Sequence, residues 1–490
     1  MKKYLLFALV ATSTSTLFAQ AELSAFTSTG RAGVATTFVT DYQSAGINPA
    51  NLGWQPKYEG KKFTTSAFEF TFSLYSEPLK KQELRQMFKE ILGGERAAKL
   101  TLDEKRQAAI DFTDAKTAMN LDLAMFSFAA QFPKAGGFSF TTRERIQWFS
   151  QLNKNASEIL FLGYNASYFD IKLDSAGNNI SDSSYAEEKV RRGVSSNPKT
   201  YNEVFDGTHI SLSWMREFNL SYGHHLVNGE DFKLFAGAGI KYFQGIAIID
   251  VQSNNGEFSA FTAFSPAFDL KFDSAAVADN PSALAPDTNS FLPKNVGSGF
   301  GFDLGVSVII KDRIKLGIAV NDIGSVLWDG NVYSAPNDTV YDISSDGVES
   351  YNVMGQALNS FGESAFDWQG ESSKRVALPT VLRTGASIAF GENKSVEVGI
   401  DAIIPFNNLS GNYEQALFAV GGDVWPTKWL RLSTGMTFGG NYDFNLPVGL
   451  GIVVPTGTWE FGIASRDAIS FFADNGPTIS LSTGFLRFRF

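Results

Sequence analysis

Apolar and polar residues alternate with period two along most of this chain. From Gly299 to Ile310, the residues Phe300, Phe302, Leu304, Val306, Val308 and Ile310 fall on one side, and Gly299, Gly301, Asp303, Gly305 and Ser307 on the other. Such alternation is the signature of a strand whose two faces meet different solvents. After the short turn Lys311-Asp312-Arg313 the pattern resumes, with Ile314, Leu316, Ile318 and Val320 set against Lys315, Gly317, Ala319 and Asn321, which predicts a hairpin. A second hairpin joins Leu382–Phe390 to Val396–Ile404 through Gly391-Glu392-Asn393-Lys394. A third joins Phe418–Val424 to Leu430–Phe438 through Trp425-Pro426-Thr427-Lys428. The last residues, Leu486-Arg487-Phe488-Arg489-Phe490, place aromatic and aliphatic side chains on one face and arginines on the other. This is the form of the closing strand of a bacterial outer-membrane barrel, with Phe488 and Phe490 as its barrel-assembly signal.

Candidate strands fall near 61–75, 119–132, 136–149, 207–224, 231–250, 255–271, 297–310, 313–328, 379–391, 394–407, 413–425, 428–440, 445–465 in one or two pieces, and 477–490. The expected range is 14 to 16 strands. Bacterial single-chain barrels have even strand numbers, so the expectation is an all-β, transmembrane antiparallel barrel of 14 strands over residues 61–490. Residues 78–118 carry Leu79, Leu84, Met87, Phe88, Ile91 and Leu92 among many charges and predict a helical insertion. Segments 150–206, 272–296 and 329–375, rich in Asn, Ser, Asp, Gly and Pro, predict long outer loops opposite short inner turns. Residues 22–60 are too polar and too broken for a wall strand. A barrel of this size leaves an open lumen, so this segment is the expected N-terminal hatch, with Asp41, Asn48 and Pro49 shaping its turns.

The N-terminus has Lys2 and Lys3, an apolar run from Tyr4 to Val10, and Ala19-Gln20-Ala21 as a cleavage site, so residues 1–21 read as a cleavable signal peptide. That run is far short of the ~20 residues a spanning helix needs. The expected location is the outer membrane of a Gram-negative bacterium, with membrane lipid and the barrel-assembly machinery as partners. Composition narrows the class further. The chain has no cysteine, so neither disulfides nor thiolate-held metal can stabilise it. A formal charge of -10 argues against nucleic acid as a partner. Phenylalanine (44 residues) and glycine (45) are both abundant, which fits apolar outer faces and crowded wall positions.

Asp41-Tyr42-Gln43-Ser44-Ala45-Gly46-Ile47-Asn48-Pro49-Ala50-Asn51-Leu52 resembles the start of mature proteins in the long-chain fatty-acid transporter (FadL) superfamily, where an Asn-Pro-Ala turn sits in the N-terminal hatch. The blocks Gly299–Gly305, Asn321-Asp322-Ile323-Gly324 with Trp328, and Leu378-Pro379-Thr380 with Arg383–Ala386 are similar to those of Bacteroidota outer-membrane barrels. These include the PorV-type subunits of type IX secretion and an uncharacterised family of similar length, which Glu217–Gly245 resembles most. The resemblance implies a 14-stranded barrel with a hatch. It further implies either a FadL-like transporter or channel for small hydrophobic molecules, or a PorV-like interaction barrel docking secreted cargo or a secretion translocon. The helical 78–118 insertion and the 329–375 loop depart from both patterns.

Signs of catalysis are sparse. The three histidines are His209, His224 and His225, and the adjacent pair lacks the i, i+2 spacing of a metal site on one strand. No hydrolase motif accompanies them, so no catalytic residue, metal or cofactor is expected. The remaining candidates are charges opposite the apolar rows: Glu69, Arg143, Arg145, Glu217, Lys241, Asp303, Lys315, Arg383, Glu397, Asp401, Arg431, Arg487 and Arg489. Two roles are open to them, a solvated lumen in which they pair with one another and the hatch, or a selectivity path. Trp54, Trp148, Trp328, Trp425, Trp429 and Trp459 lie near strand ends and are expected in interfacial girdles.

Overall fold

In a computed structural model of the chain, the alternating segments pair edge to edge into one closed cylinder. The structure describes residues 25–490 apart from 56–57, 59, 81–82, 84–98, 181–188, 269, 271, 273, 288–291, 352–365, 408, 410, 414, 441–443 and 469–477. The expected signal peptide, residues 1–21, and residues 81–82 and 84–98 of the expected helical insertion therefore lie outside the described residues. Fourteen antiparallel strands form the wall: β1 Phe63–Ser76, β2 Lys116–Phe132, β3 Gly136–Gln151, β4 Thr208–Asn228, β5 Phe232–Asn254, β6 Gly297–Ile310 and β7 Ile314–Trp328. The circuit continues with β8 Val381–Phe390, β9 Val396–Pro405, β10 Leu417–Thr427, β11 Leu430–Gly439, β12 Val448–Val453, β13 Trp459–Ser465 and β14 Thr478–Arg489. Each strand pairs with its neighbour in sequence, and β14 closes the ring on β1 from Thr64↔Arg489 to Tyr75↔Thr478.

Burial follows the alternation. Phe300, Phe302, Leu304 and Val306 are exposed on the outer face of β6, while Asp303 and Ser307 beside them are buried. Since an apolar outer row cannot be hydrated favourably, the described exterior is a surface for hydrocarbon. Short turns such as 311–313 and 391–395 connect strands at one end, and all the long connections emerge at the other.

Two predicted strands resolve differently. Segment 255–271 does not enter the wall. Asn255 and Gly256 both take positive φ (53° and 82°), the two-residue turn that favours a tight hairpin, so Glu257–Phe264 folds back on the upper half of β5 and pairs with Val332–Ala335. Segment 445–465 is two wall strands, β12 and β13, because the turn around Pro455 and Gly457 (φ 73°) interrupts it. The two changes offset each other in the strand count.

The upper connections hold more regular structure than their composition predicts. Within 150–206 lie a helix, Lys154–Leu162, and two strands, Ile171–Leu173 and Arg192–Thr200; the latter pairs with Thr339–Ile343 from the 329–375 segment. In the 78–118 insertion, β1 reaches Ser76, a helix spans Leu102–Asp111 behind a Thr101–Glu104 capping box, and β2 begins at Lys116. These pieces share one apolar core over the upper end of the barrel, including Leu152, Phe161, Phe169, Tyr201, Phe205 and Trp368. Pairing between segments so distant in sequence left no local period to read.

Candidate functional site

Two layers occupy the barrel interior, and an upper one packs on the outward-facing side of the upper wall. The lowest is residues 25–54, which carry short helices at Phe26–Thr29, Asp41–Ser44 and Pro49–Gly53 and are almost wholly buried. This segment circles the inner wall against strand order. Phe26 packs on β13 and β14, Gly30 on β12, Ala32 on β11 and Arg31 on β10. Phe38 and Thr36 lie on β9, β8 and β7, and Asn48–Leu52 on β6 to β3. It fits because every strand from β3 to β14 offers an inward glycine there. Gly137, Gly223, Gly237 and Gly305 stand directly opposite one another on β3 to β6. Gly399, Gly421 and Gly435 do the same on β9 to β11. A β-carbon on Gly421 would sit 2.2 Å from the Arg31 carbonyl oxygen, and one on Gly237 would sit 2.4 Å from the Ala50 nitrogen. Glycine at these positions is a requirement of close backbone approach.

Directional bonds fasten the segment. Arg31 donates to Asp423 at 2.9 Å, and the amides of Ala35 and Thr36 both donate to Asp401 Oδ2 at 2.8 Å. Asp41, with φ 53°, accepts Arg487 Nη2 at 2.7 Å, and the Tyr42 hydroxyl donates to Glu69. Because Arg487 lies on β14 and Glu69 on β1, these two adjacent residues straddle the closing seam. The Asn48 side chain caps Ala50 and donates to the Val306 carbonyl, placing Pro49 against β4 and β5. Trp54 Nε1 donates to Ser307 at 3.0 Å.

The middle layer is a set of buried ion pairs. Arg145 on β3 bonds Glu217 (2.8 Å) on β4 and Asp322 (3.2 Å) on β7; Lys241 on β5 bonds Asp322 (2.5 Å) and Asp303 (2.9 Å) on β6. Arg143 pairs with Asp122 at 3.2 Å. Asp322 is the residue that period-two reading misses. It has φ 59° at a bulge between Val320 and Ile323, so Asn321 and Asp322 both point inward. A polar pair interrupting an otherwise apolar strand was the available signal. Glu460, on β13, is a second omission; it gathers Arg431, Arg487 and Arg489.

The other predicted lumen residues are placed as follows. Arg383 is buried beside Tyr413 and Asp401, Glu397 is half-buried and bonds Lys315 and Ser387, and Arg431 lies over the rings of Phe26 and Trp425. The set divides between the ion layer and the wall of the lower segment; it does not line one solvated path. Trp54, Trp148 and Trp328 are buried within the fold, not in a girdle, and Trp328 fills the space left by Gly245 and Gly297. His209 is buried against Phe149 in the upper wall, and His224 and His225 stack on β4. Among the described residues no group of His, Asp and Glu is arranged to hold a metal ion.

The upper layer is apolar. Beneath the helix Lys154–Leu162 lies a cavity of about 80 Å³ lined mainly by Leu152, Ile159, Phe169, Phe205, Ile210 and Phe366. Beside it, Lys172 donates to the carbonyls of Tyr164 and Ala166, and burial pushes its amine down to about 8.

No curated protein matches the chain. Among solved structures it is similar to the Pseudomonas putida toluene transporter TodX (11% identity, 97% of this chain and 99% of that one, TM-score 0.42). The Ralstonia pickettii toluene transporter TbuX gives 9%, 95%, 98% and 0.43, and a Pseudomonas aeruginosa FadL homologue gives 12%, 96%, 97% and 0.40. Similarity at this level extends to no individual residue. A family model described as a family of unknown function, DUF5723, matches residues 83–465, which is most of the wall and the upper connections. The chain therefore belongs to the DUF5723 family, and the closed fourteen-stranded cylinder is its architecture.

Proposed function

We propose that this barrel sits in the outer membrane and takes up small hydrophobic molecules, with residues 25–54 as its hatch. The observation that carries the reading is the apolar cavity of the upper layer, set in the largest apolar cluster among the described residues, on the outward-facing side of the upper wall. An apolar solute gains free energy in such a site at roughly 25 cal/mol per Å² of buried surface, whereas a hydrated ion would exchange most of its water for an apolar lining. Within the barrel, the fastened hatch and the buried charge layer oppose free diffusion of water-soluble solutes. Docking of secreted cargo or a translocon would use segments 150–206 and 329–375 as a recognition surface. Their aromatic residues Phe161, Phe169, Tyr201 and Trp368 are instead spent on the cap core, which favours uptake.

The test uses the full chain in liposomes with decanoate and toluene as probes. Uptake of either probe is expected, without the large steady conductance of an open pore. Ala156→Phe, which fills the cavity from the overlying helix, should reduce uptake while leaving the barrel folded on an unheated gel. Undiminished uptake in that variant, or a wide ohmic pore in the parent, refutes the reading.

A further inference from the structure

The outer wall is not uniformly convex. Across β6 to β10 it forms a groove of about 700 Å³ whose floor is small, Thr384, Ala386 and Ala402, and whose sides are Leu316, Ile400 and Phe418. The wall is drawn in here from the other side: Thr36 and Phe38 of the lower segment abut Gly317, Gly385 and Gly399, and Asp401 is clasped by two backbone amides. The groove thus has a structural origin in the same contacts that seat residues 25–54.

Its vertical position is set by register. Ala386 lies four residues above Phe390, the end of β8, which is about 13 Å at ~3.3 Å per residue. Half the hydrocarbon core is about 15 Å. The groove therefore opens in the leaflet nearer the short turns. Directly beneath it those turns present Lys311, Arg313, Lys394 and Lys428, all exposed. Arg313 donates to the Gly391 carbonyl at 2.9 Å and so ties the two central turns together. The acidic groups near them are Asp312, already engaged by Lys233 at 2.6 Å, Glu392, and Asp231, whose carbonyl accepts the Lys311 amide at 2.8 Å. The rim is net basic under an apolar trough.

We propose that this groove is a binding site for one anionic phospholipid of the periplasmic leaflet, an acyl chain lying along Ala386 and Ala402 and its phosphate on the cations of the 311–313, 391–394 and 427–428 turns. A chain alone would explain the apolar trough, and a polar partner alone the rim. Only an amphiphile with negative charge one half-leaflet from its chain satisfies both. The proposal rests on the membrane reading of the barrel but not on what the barrel transports.

Because the chain has no cysteine, a single Ala386→Cys substitution can carry a bimane label at the groove floor, and Leu220→Cys on the exposed face of β4 serves as a bulk-lipid reference. Both are reconstituted in phosphatidylcholine containing doxyl-labelled phosphatidylglycerol. Quenching at position 386 should show a relative affinity for phosphatidylglycerol about fivefold or more above that at 220, and Lys394→Glu with Lys428→Glu should abolish the difference. Equal quenching at both positions overturns the site, as does a preference that survives the charge reversal. So would a co-purifying protein that shields position 386 from lipid. The emission maximum at 220 separately reports whether the wall is immersed in the bilayer, so failure of the membrane reading is distinguishable from failure of the site.

Discussion

Arg487→Met should uncouple the lower segment from the closing seam. The guanidinium is buried, bonds Asp41 at 2.7 Å and Glu460 at 3.2 Å, and lies 5.3 Å over the Tyr42 ring. Glu460 would keep Arg431 and Arg489, so the unpaired charge would be Asp41. Removing one partner of a buried ion pair costs about 3–5 kcal/mol, because the remaining charge keeps its desolvation penalty and loses its compensation. Asp41 also holds a φ of 53°, whose ~1–2 kcal/mol of strain is already present in the parent and adds nothing to this loss. Urea titration of the refolded barrel in detergent, followed by tryptophan fluorescence, should therefore show a loss of about 3–5 kcal/mol. Asp41→Asn combined with Arg487→Met removes both charges and should recover most of that loss, giving a coupling energy well above the ~0.5 kcal/mol expected of independent sites. A single variant within about 0.5 kcal/mol of the parent, or a double variant no better than the single, refutes the argument.

Gly237→Val should displace the Pro49-Ala50 turn, since even a β-carbon would stand 2.4 Å from the Ala50 nitrogen; protease cleavage within residues 25–54 of the folded barrel should become faster, and unchanged cleavage would count against close packing. Asp322→Asn leaves Lys241 and Arg145 sharing two carboxylates instead of three, with an expected loss of about 3 kcal/mol in the same titration, whereas a neutral result would mean that the bulge is not holding the ion layer together. Lys172, followed by NMR after isotopic methylation, should titrate with a midpoint near 8 and not near the ordinary lysine value. Its folded state binds the proton less tightly than the unfolded chain, so its contribution is complete above the unfolded value of ~10.4 and is lost as pH falls through about 8.

Closure and the inside-outside division were legible because one local rule, period two, governs every wall strand and one face of each must meet hydrocarbon, whereas the strand number agreed only because segments 255–271 and 445–465 offset each other. Asn48 and Asp41 were legible as turn residues for the same local reason, and glycine abundance pointed to crowded wall positions. The rest was not local. Which carboxylate each cation meets depends on neighbours far apart in sequence, as with Arg145 and Asp322, and Asp322 faces inward only because a bulge breaks the period that sequence reading relies on. The buried tryptophans were misplaced since a strand end looks the same whether it meets an interface or a cap. The glycines were visible one by one, but their ring exists only once fourteen registers are set, and the fit of residues 25–54 and the indentation of β6 to β10 follow from that ring. Local alternation thus determined a cylinder and its two faces; long-range register, through loop closures that carry no periodic signal, decided what fills it and where its wall bends.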